Sequence, residues 1–459
     1  MLLYWLVIIL KRDLTQGSVF KNIIWFSLPF LLSYFLQTLY GLADLFIIGQ
    51  FNGSDVITAV SIGSQVMHFV TVVIVGLAMG STVIIGKAVG SKDKALTAKT
   101  IGNTASLFMA VAIAMTVILL ALIKPIVSAM STPAQAVEQT VFYLAICFAG
   151  IPFITAYNII SSIFRGMGDS KSPMYFIALA CALNIMLDYV FIGLMDMKAS
   201  GAALGTVIAQ SVSVITALIC IRFKNMGIHI SKSDLKIDKS LMLQMLKIGV
   251  PVAFQDAFIQ ISFLTITIIA NKRGVDVAAA VGIVEKIIGL LFLVPSSMLS
   301  SVSALAAQNI GANQHKRASK TLFYGTAIAV GFGLVVGVAF QFVSDWAVGL
   351  FTTEQAVIVY GEQYLKSYAW DCMIAGVHFC FSGYFCAYSM SMVSFVHNVA
   401  SIVLMRVPGA IVATHLFPDN LYPMGMAAPL GSLVSALICI GVYIWFVKSK
   451  RSPLILSKK

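Results

Sequence analysis

The sequence predicts an all-α polytopic membrane protein, with twelve transmembrane helices in two six-helix parallel repeats. Three observations lead there. Of 459 residues, 59% are hydrophobic and 10% are charged, whereas soluble domains carry a charged share of about 25%. Apolar stretches of about 20 residues or more, the length that spans a bilayer as a helix, recur along the whole chain. The second half also repeats motifs of the first at a nearly constant shift.

Hydropathy places the spans near 23–49, 56–86, 101–123, 137–163, 173–195, 201–222, 242–270, 277–305, 321–345, 356–385, 390–415 and 424–447. The first contains Pro29, which removes a backbone hydrogen bond and can bend its helix. The second contains Gly76 and Gly80 in the GxxxG spacing of closely packed membrane helices. Residues 2–10 are apolar but too few to span, and their Lys-Arg pair follows rather than precedes them, unlike a secretory signal. All seven cysteines fall inside or directly beside predicted spans without CxxC spacing, the pattern of buried thiols rather than a metal centre.

The repeat is visible at several points. AVGSKDKALTAKT at 88–100 is echoed by NIGANQHKRASKT at 309–321, a shift of 221. Pro29 pairs with Pro251, Phe164 with Phe385, and Leu204-Gly205-Thr206 with Leu430-Gly431-Ser432. This gives an N-terminal lobe at 13–228, a polar linker at 229–240 and a C-terminal lobe at 241–459. An even number of spans per lobe inserts both halves the same way, and duplicated halves of this kind frame a transport pathway near mid-membrane.

Charge gives the orientation. Of thirty Lys and Arg, twenty-three lie in the N-terminus, the even loops and the C-terminus, and four (Lys124, Lys198, Lys272, Arg273) lie in odd loops. The positive-inside rule then puts both termini in the cytoplasm of a multi-pass protein of the inner or plasma membrane. It also explains the net charge of +12 without nucleic acid.

Asp44 and Asp188 fall at membrane depth, where a carboxylate costs several kcal/mol and is functional by default. Tyr40 precedes Asp44, and Asn184 precedes Asp188, by one helical turn on the same face. With Thr206 they offer only oxygens and an amide donor, a set that suits a proton relay or a hard ion such as Na+ at Asp44, Asn184 and Asp188. The second half holds Gln255, Asp256, Glu285, Asp371 and Arg406 in or near its spans. These form either a substrate or second polar site, or an ion pair such as Asp256 or Asp371 with Arg406 or Lys286, which would offset the burial of both charges. Gln260, His378 and Tyr384 are weaker candidates. No Walker A loop, HExxH or GxSxG appears in the required context, so neither a nucleotide site nor an enzyme is expected.

Taken together, the twelve spans in two repeats, Pro29, and the loops AVGSKDK and FRGMGDSKSPM (164–174) resemble the multidrug and toxic compound extrusion (MATE) family over nearly the whole chain. The set Pro29, Tyr40, Asp44, Asn184, Asp188 and Thr206 resembles the cation site of the DinF-like branch. The resemblance implies antiport. Organic, cationic or amphipathic small compounds would leave by alternating access as H+ or Na+ enters, with no cofactor and with a monomer as the working unit. Other branches carry a glutamate in the middle of span seven, where this chain has Asp256 nearer the proline and Ile259 further in. The rival readings are a flippase of lipid-linked saccharides and, more distantly, a membrane-embedded enzyme, receptor or channel.

Overall fold

The computed structural model describes residues 13–223, 231 and 233–449. The first half forms α1 (Val19–Phe51), α2 (Ser54–Gly90), α3 (Lys94–Ala121), α4 (Ile123–Ala129), α5 (Val137–Ala149), α6 (Ile151–Gly166), α7 (Lys171–Asp188) and α8 (Lys198–Phe223). The second forms α9 (Lys239–Asn271), α10 (Val275–Leu291), α11 (Leu293–Gly311), α12 (His315–Gly349), α13 (Gln355–Tyr368), α14 (Asp371–Ala387), α15 (Ser391–Ser401), α16 (Val407–Leu416) and α17 (Tyr422–Lys448). All are helices because a spanning segment must satisfy its backbone polar groups internally.

Among the described residues, ten helical segments are long and apolar enough to cross a membrane, or eleven when the pair α5 and α6, bent by 48°, is one span. The remaining expected run is broken rather than continuous. The run 356–385 is two shorter helices, α13 of 14 residues and α14 of 17. The reason lies in its composition: α13 is polar enough to carry a Glu362–Lys366 ion pair at 2.6 Å.

The duplication extends to backbone conformation. Lys92 and Asn313 are both left-handed, with φ of 60° and 56°, as are Gly168 and Ser389, with φ of 88° and 60°. Each pair is related by the shift of 221 found in the loops that surround it. In the first half the turn at Gly168 leads to Asp169, whose carboxylate accepts from the Ser172 backbone N–H at 3.0 Å and from its hydroxyl at 2.7 Å, capping the start of α7.

The chain divides into two compact units, and the divisions fall inside helices. One unit is Leu32–Gly249; the other contains Leu14–Leu31 and the chain from Val250 onward. Pro29 and Pro251 lie inside α1 and α9, each within two residues of a division.

In the first unit, a Cβ on Gly80 would lie 2.1 Å from the Met245 carbonyl oxygen, and one on Gly249 would lie 2.3 Å from that of Leu77. Glycine at both positions lets the backbones of α2 and α9 touch. The segment before α9 is tied to α3: Asn103 accepts from the Asp238 N–H at 2.7 Å, and Lys99 meets Asp238 at 2.6 Å. In the second unit the segment before α1 is held in the same manner. Arg317 donates to the carbonyls of Gly17 at 2.8 Å and Gln16 at 3.2 Å, and within α1 the Ser27 carbonyl accepts from Ser297 at 2.8 Å. The seven cysteines are buried.

Candidate functional site

In the first unit, α1 brings Tyr40 and Asp44, α7 brings Asn184 and Asp188, and α8 brings Thr206 to one place. Asp44 is 3% exposed, and Asn184 and Asp188 are fully buried. Asn184 donates from Nδ2 to Asp188 Oδ1 at 3.4 Å. Asp44 stands within side-chain interaction range of Asp188, Asn184 and Thr206, and Tyr40 faces both Asp44 and Thr206.

Five oxygens of this group are buried without a hydrogen-bond partner: Tyr40 OH, Asp44 Oδ1, Asn184 Oδ1, Asp188 Oδ2 and Thr206 Oγ1. Buried polar atoms are almost always paired, so a convergent set of unpaired oxygens has a chemical purpose. Two carboxyl groups at this range repel when both are ionised and are compatible when they share a proton or a cation. Such a set can hold a proton or a small hard cation.

Local structure aims these groups. A π-helical turn, Tyr189–Leu194, begins directly after Asp188. Such wide turns free backbone groups and re-aim side chains, and they gather at functional sites. Gly205 makes the room: a Cβ there would lie 2.4 Å from Asp188 Oδ1. In the sequence Gly205 marks only the repeat, and its place beside Thr206 in that motif is the one signal of this role. Tyr143 carries no such signal; its hydroxyl lies 3.1 Å from Ser64 Oγ, and its electrostatic neighbours include Asp44.

The second-half candidates separate into two groups. Arg406 closes a second π-helical turn, Ile402–Arg406. It hydrogen-bonds the Tyr368 hydroxyl, and its guanidinium lies 4.6 Å from the Phe263 ring centroid. Asp371 and Glu285 are its acidic neighbours, and Glu285 accepts from Thr267 at 3.3 Å. Gln255 and Asp256 form the other group, with Gln255 donating to Asp256 at 3.3 Å. The expected ion pair is corrected: among the described residues, neither Asp256 nor Asp371 lies within 4 Å of Arg406 or Lys286. Arg406 is instead held by an aromatic face and a phenol, which accommodate a guanidinium without a contact carboxylate. Gly431 takes the place that Gly205 has in the first unit: its Cβ would meet Ser401 Oγ at 2.8 Å. Among the described residues no cluster of three or more His, Cys, Asp or Glu is arranged to hold a metal ion.

Comparison with known proteins adds an independent line. The MatE family profile matches residues 29–190 and again residues 251–412. The chain is 26% identical over 444 residues to "Probable multidrug resistance protein YoeA" of Bacillus subtilis, covering 95% of this chain and 96% of that protein. It is 29% identical over 420 residues to "Probable multidrug resistance protein YpnP" of the same organism, covering 91% and 93%. Multidrug export protein MepA of Staphylococcus aureus is 25% identical over 375 residues, covering 80% and 81%. Among solved structures, a MOP superfamily transporter from Pyrococcus furiosus superposes with a TM-score of 0.89 at 20% identity, over 95% of this chain and 98% of that one. An outward-facing MATE family multidrug resistance transporter gives 0.88 at 21%, over 95% and 98%. At these identities the structural likeness speaks for the fold alone.

Proposed function

This chain belongs to the MatE family of multi-pass membrane transporters, which are not enzymes, and from that premise we propose that it is a cation-coupled antiporter exporting small organic compounds. The observation that carries the coupling is the facing pair Asp44 and Asp188 with its five unpartnered oxygens. The relatives' names carry multidrug export, and cationic or amphipathic compounds are the substrate class proposed for this chain.

Binding of H+ or Na+ at Asp44, Asp188, Asn184, Tyr40 and Thr206 would bias an equilibrium between access states, because a ligand shifts such an equilibrium by its differential affinity. Pro29 and Pro251 are proposed as the flexing points of α1 and α9, since proline donates no backbone hydrogen bond to the helix and crowds its preceding turn. The lobes proposed for this motion are 13–228 and 241–459, joined by 229–240, part of which lies outside the described residues. The DinF-like assignment, a monomeric working unit and cytoplasmic termini belong to the same proposal. The basic-residue asymmetry supports the orientation.

The test is reconstitution in liposomes with a fluorescent cationic dye, with a proton gradient and a sodium gradient imposed separately and no ATP. Dye export driven by either gradient is expected. Export that requires ATP and ignores both gradients would overturn the reading. For orientation, cysteines placed at Lys92, Lys236 and Lys316 should label from the cytoplasmic side, and those at Asn52 and Asp419 from outside. Labelling of Lys236 and Asn52 from one side would break it.

A further inference from the structure

Two buried imidazoles, His378 on α14 and His397 on α15, lie with ring centroids 5.6 Å apart. His397 meets Ser382 at 2.9 Å and Ser435 at 3.2 Å, so this pair joins α14, α15 and α17, all from one half of the sequence. Two other polar clusters do something different. Each holds the start of one half's first helix against helices of the other half, and each lies within a single unit.

The first cluster is built on Arg317 and Asn309. The guanidinium spreads over the carbonyls of Leu14 at 3.4 Å, Gln16 at 3.2 Å and Gly17 at 2.8 Å. Its Nε donates to Asn309 Oδ1 at 3.0 Å, which fixes the planar fork in place. From the segment itself, Asn22 Nδ2 donates to the Gln16 carbonyl at 2.8 Å. Gly17, with φ of 71°, supplies the turn that leads into α1. Beyond it Val19, Ile23, Phe26 and Phe30 are buried at helical spacing, and all belong to the second unit.

The second cluster is built on α3. Asn103 uses both ends of its amide. Nδ2 donates to the carbonyls of Asp234 at 3.4 Å and Lys236 at 3.2 Å, while Oδ1 accepts the Asp238 N–H at 2.7 Å. Ser106 donates to the Leu235 carbonyl at 3.0 Å. Gly102 admits the segment: a Cβ there would lie 2.3 Å from the Asp234 carbonyl oxygen. Along α9, Leu241, Met245 and Ile248 are then buried in the first unit.

The exchange is reciprocal. The second unit holds Leu14–Leu31, and the first holds α9 up to Gly249. The two clusters do not correspond residue for residue. At the shift of 221, Gly102 and Asn103 fall on Phe323 and Tyr324, and Arg317 falls on Leu96. Different chemistry thus secures the same placement, which marks the placement as the shared property. The weak point of each helix comes just past its clamp, because Pro29 and Pro251 donate no backbone hydrogen bond.

We propose that residues 14–31 and 234–249 are clamped segments that move as part of the unit holding them, with Arg317 and Asn103 as positioning residues, and that α1 and α9 yield at Pro29 and Pro251 while both clamps stay closed. The boundaries of the lobes proposed above then move from the linker into the two helices.

The role in export rests on the proposed antiport, whereas the clamps themselves can be read without substrate. Full-length protein in nanodiscs is followed by hydrogen exchange. Asn103→Ala should speed exchange of residues 234–249 about tenfold and leave 250–271 unchanged. Arg317→Ala should do the same for 14–31 and spare 32–51. Ser106→Ala, which removes one bond at an exposed position, should give a smaller change of the same pattern and serves where Asn103→Ala does not fold. Exchange that rises equally on both sides of Pro29 or Pro251, or that does not rise in the clamped segments, would overturn the proposal. In proteoliposomes, the pairs Lys99→Cys with Asp238→Cys and Gln16→Cys with Arg317→Cys are each bridged by a short, water-soluble bifunctional thiosulfonate, which the seven buried native cysteines should escape. Ethidium export after bridging should match that of the unbridged variant. A stop on bridging that a reductant reverses would mean that a clamp opens in each cycle, and would overturn the proposal. If no gradient drives export in the parent, the antiport reading fails, and the exchange pattern still decides the clamps.

Discussion

In the first unit Thr206 follows Gly205 and faces Asp44; in the second, Ser432 follows Gly431 and faces Asp371. The two hydroxyls descend from one repeated motif, yet their surroundings differ. The first unit sets two carboxyl groups against each other with no cation among the residues named. The second sets Asp371 and Glu285 around Arg406 and adds two imidazoles. An acid pair without a fixed cation changes its charge when an ion binds, whereas a guanidinium, always charged, fixes the local charge. The same fold position thus carries an acid pair without a fixed cation in one unit and acids around a guanidinium in the other. Duplication supplied the backbone frame, and the side chains around it diverged.

The sharpest way to break this comparison is to neutralise the acid pair. Asp44→Asn is expected to reduce gradient-driven dye export to the level of empty liposomes, with protein yield and insertion unchanged. Asp188→Asn should do nearly the same. The double variant should be little worse than either, because residues acting as one unit are non-additive. Additive losses would mean that the two carboxyl groups act separately.

The anchored site should respond through stability. Arg406→Gln removes the hydrogen bond to Tyr368 and the stack over Phe263. A loss of about 1.5–3 kcal/mol, the range for a hydrogen bond to a charged group, is expected in thermal unfolding of the purified protein. An Arg406→Gln variant as stable as the parent but inactive would move Arg406 from structure to substrate contact.

Paired glycine substitutions sharpen the contrast further. Gly205→Ala drives a Cβ against Asp188 Oδ1, a buried group held by Asn184. Overpacking of this kind costs about 1–3 kcal/mol and would displace the carboxyl. Gly431→Ala meets the Ser401 hydroxyl, which can rotate away. Export should therefore fall clearly in Gly205→Ala and only slightly in Gly431→Ala; equal losses would mean that both glycines serve helix packing alone.

The smallest effect is expected outside the spans. The Asp238 carboxyl is held below its ordinary range, first by Lys99 and then by the backbone N–H groups of Leu241 and Ser240. A depressed native pKa contributes stability above the unfolded carboxylate range and loses it as pH falls through the depressed value. Because the pair is exposed, screening keeps the effect small. The protection of residues 233–239 against hydrogen exchange, relative to the intrinsic rate at each pH, should fall modestly under acid in the parent, and at neutral pH already in Lys99→Ala.

Composition and hydropathy alone determined that this chain is a helical membrane protein, because a bilayer leaves the backbone no other choice for such apolar runs. Motif spacing determined the duplication, since a loop that needs a left-handed residue keeps its pattern, as at Lys92 and Asn313. Asp44, Asn184, Asp188 and Thr206 were legible because a polar residue in an apolar run is conspicuous. Three things were not. The tenth run looked like one span, but a break before Asp371 divides it, and hydropathy averages over a break of a residue or two. Arg406 looked like half of an ion pair, but which partner a long side chain meets depends on helix rotation, and here it meets Tyr368 and Phe263. Gly205 and the imidazole pair acquire meaning only when α7 and α8, or α14, α15 and α17, are packed. The sequence determines which groups each helix carries. Only the packed helices decide which of those groups are left without partners, and the chemistry belongs to the unpartnered ones.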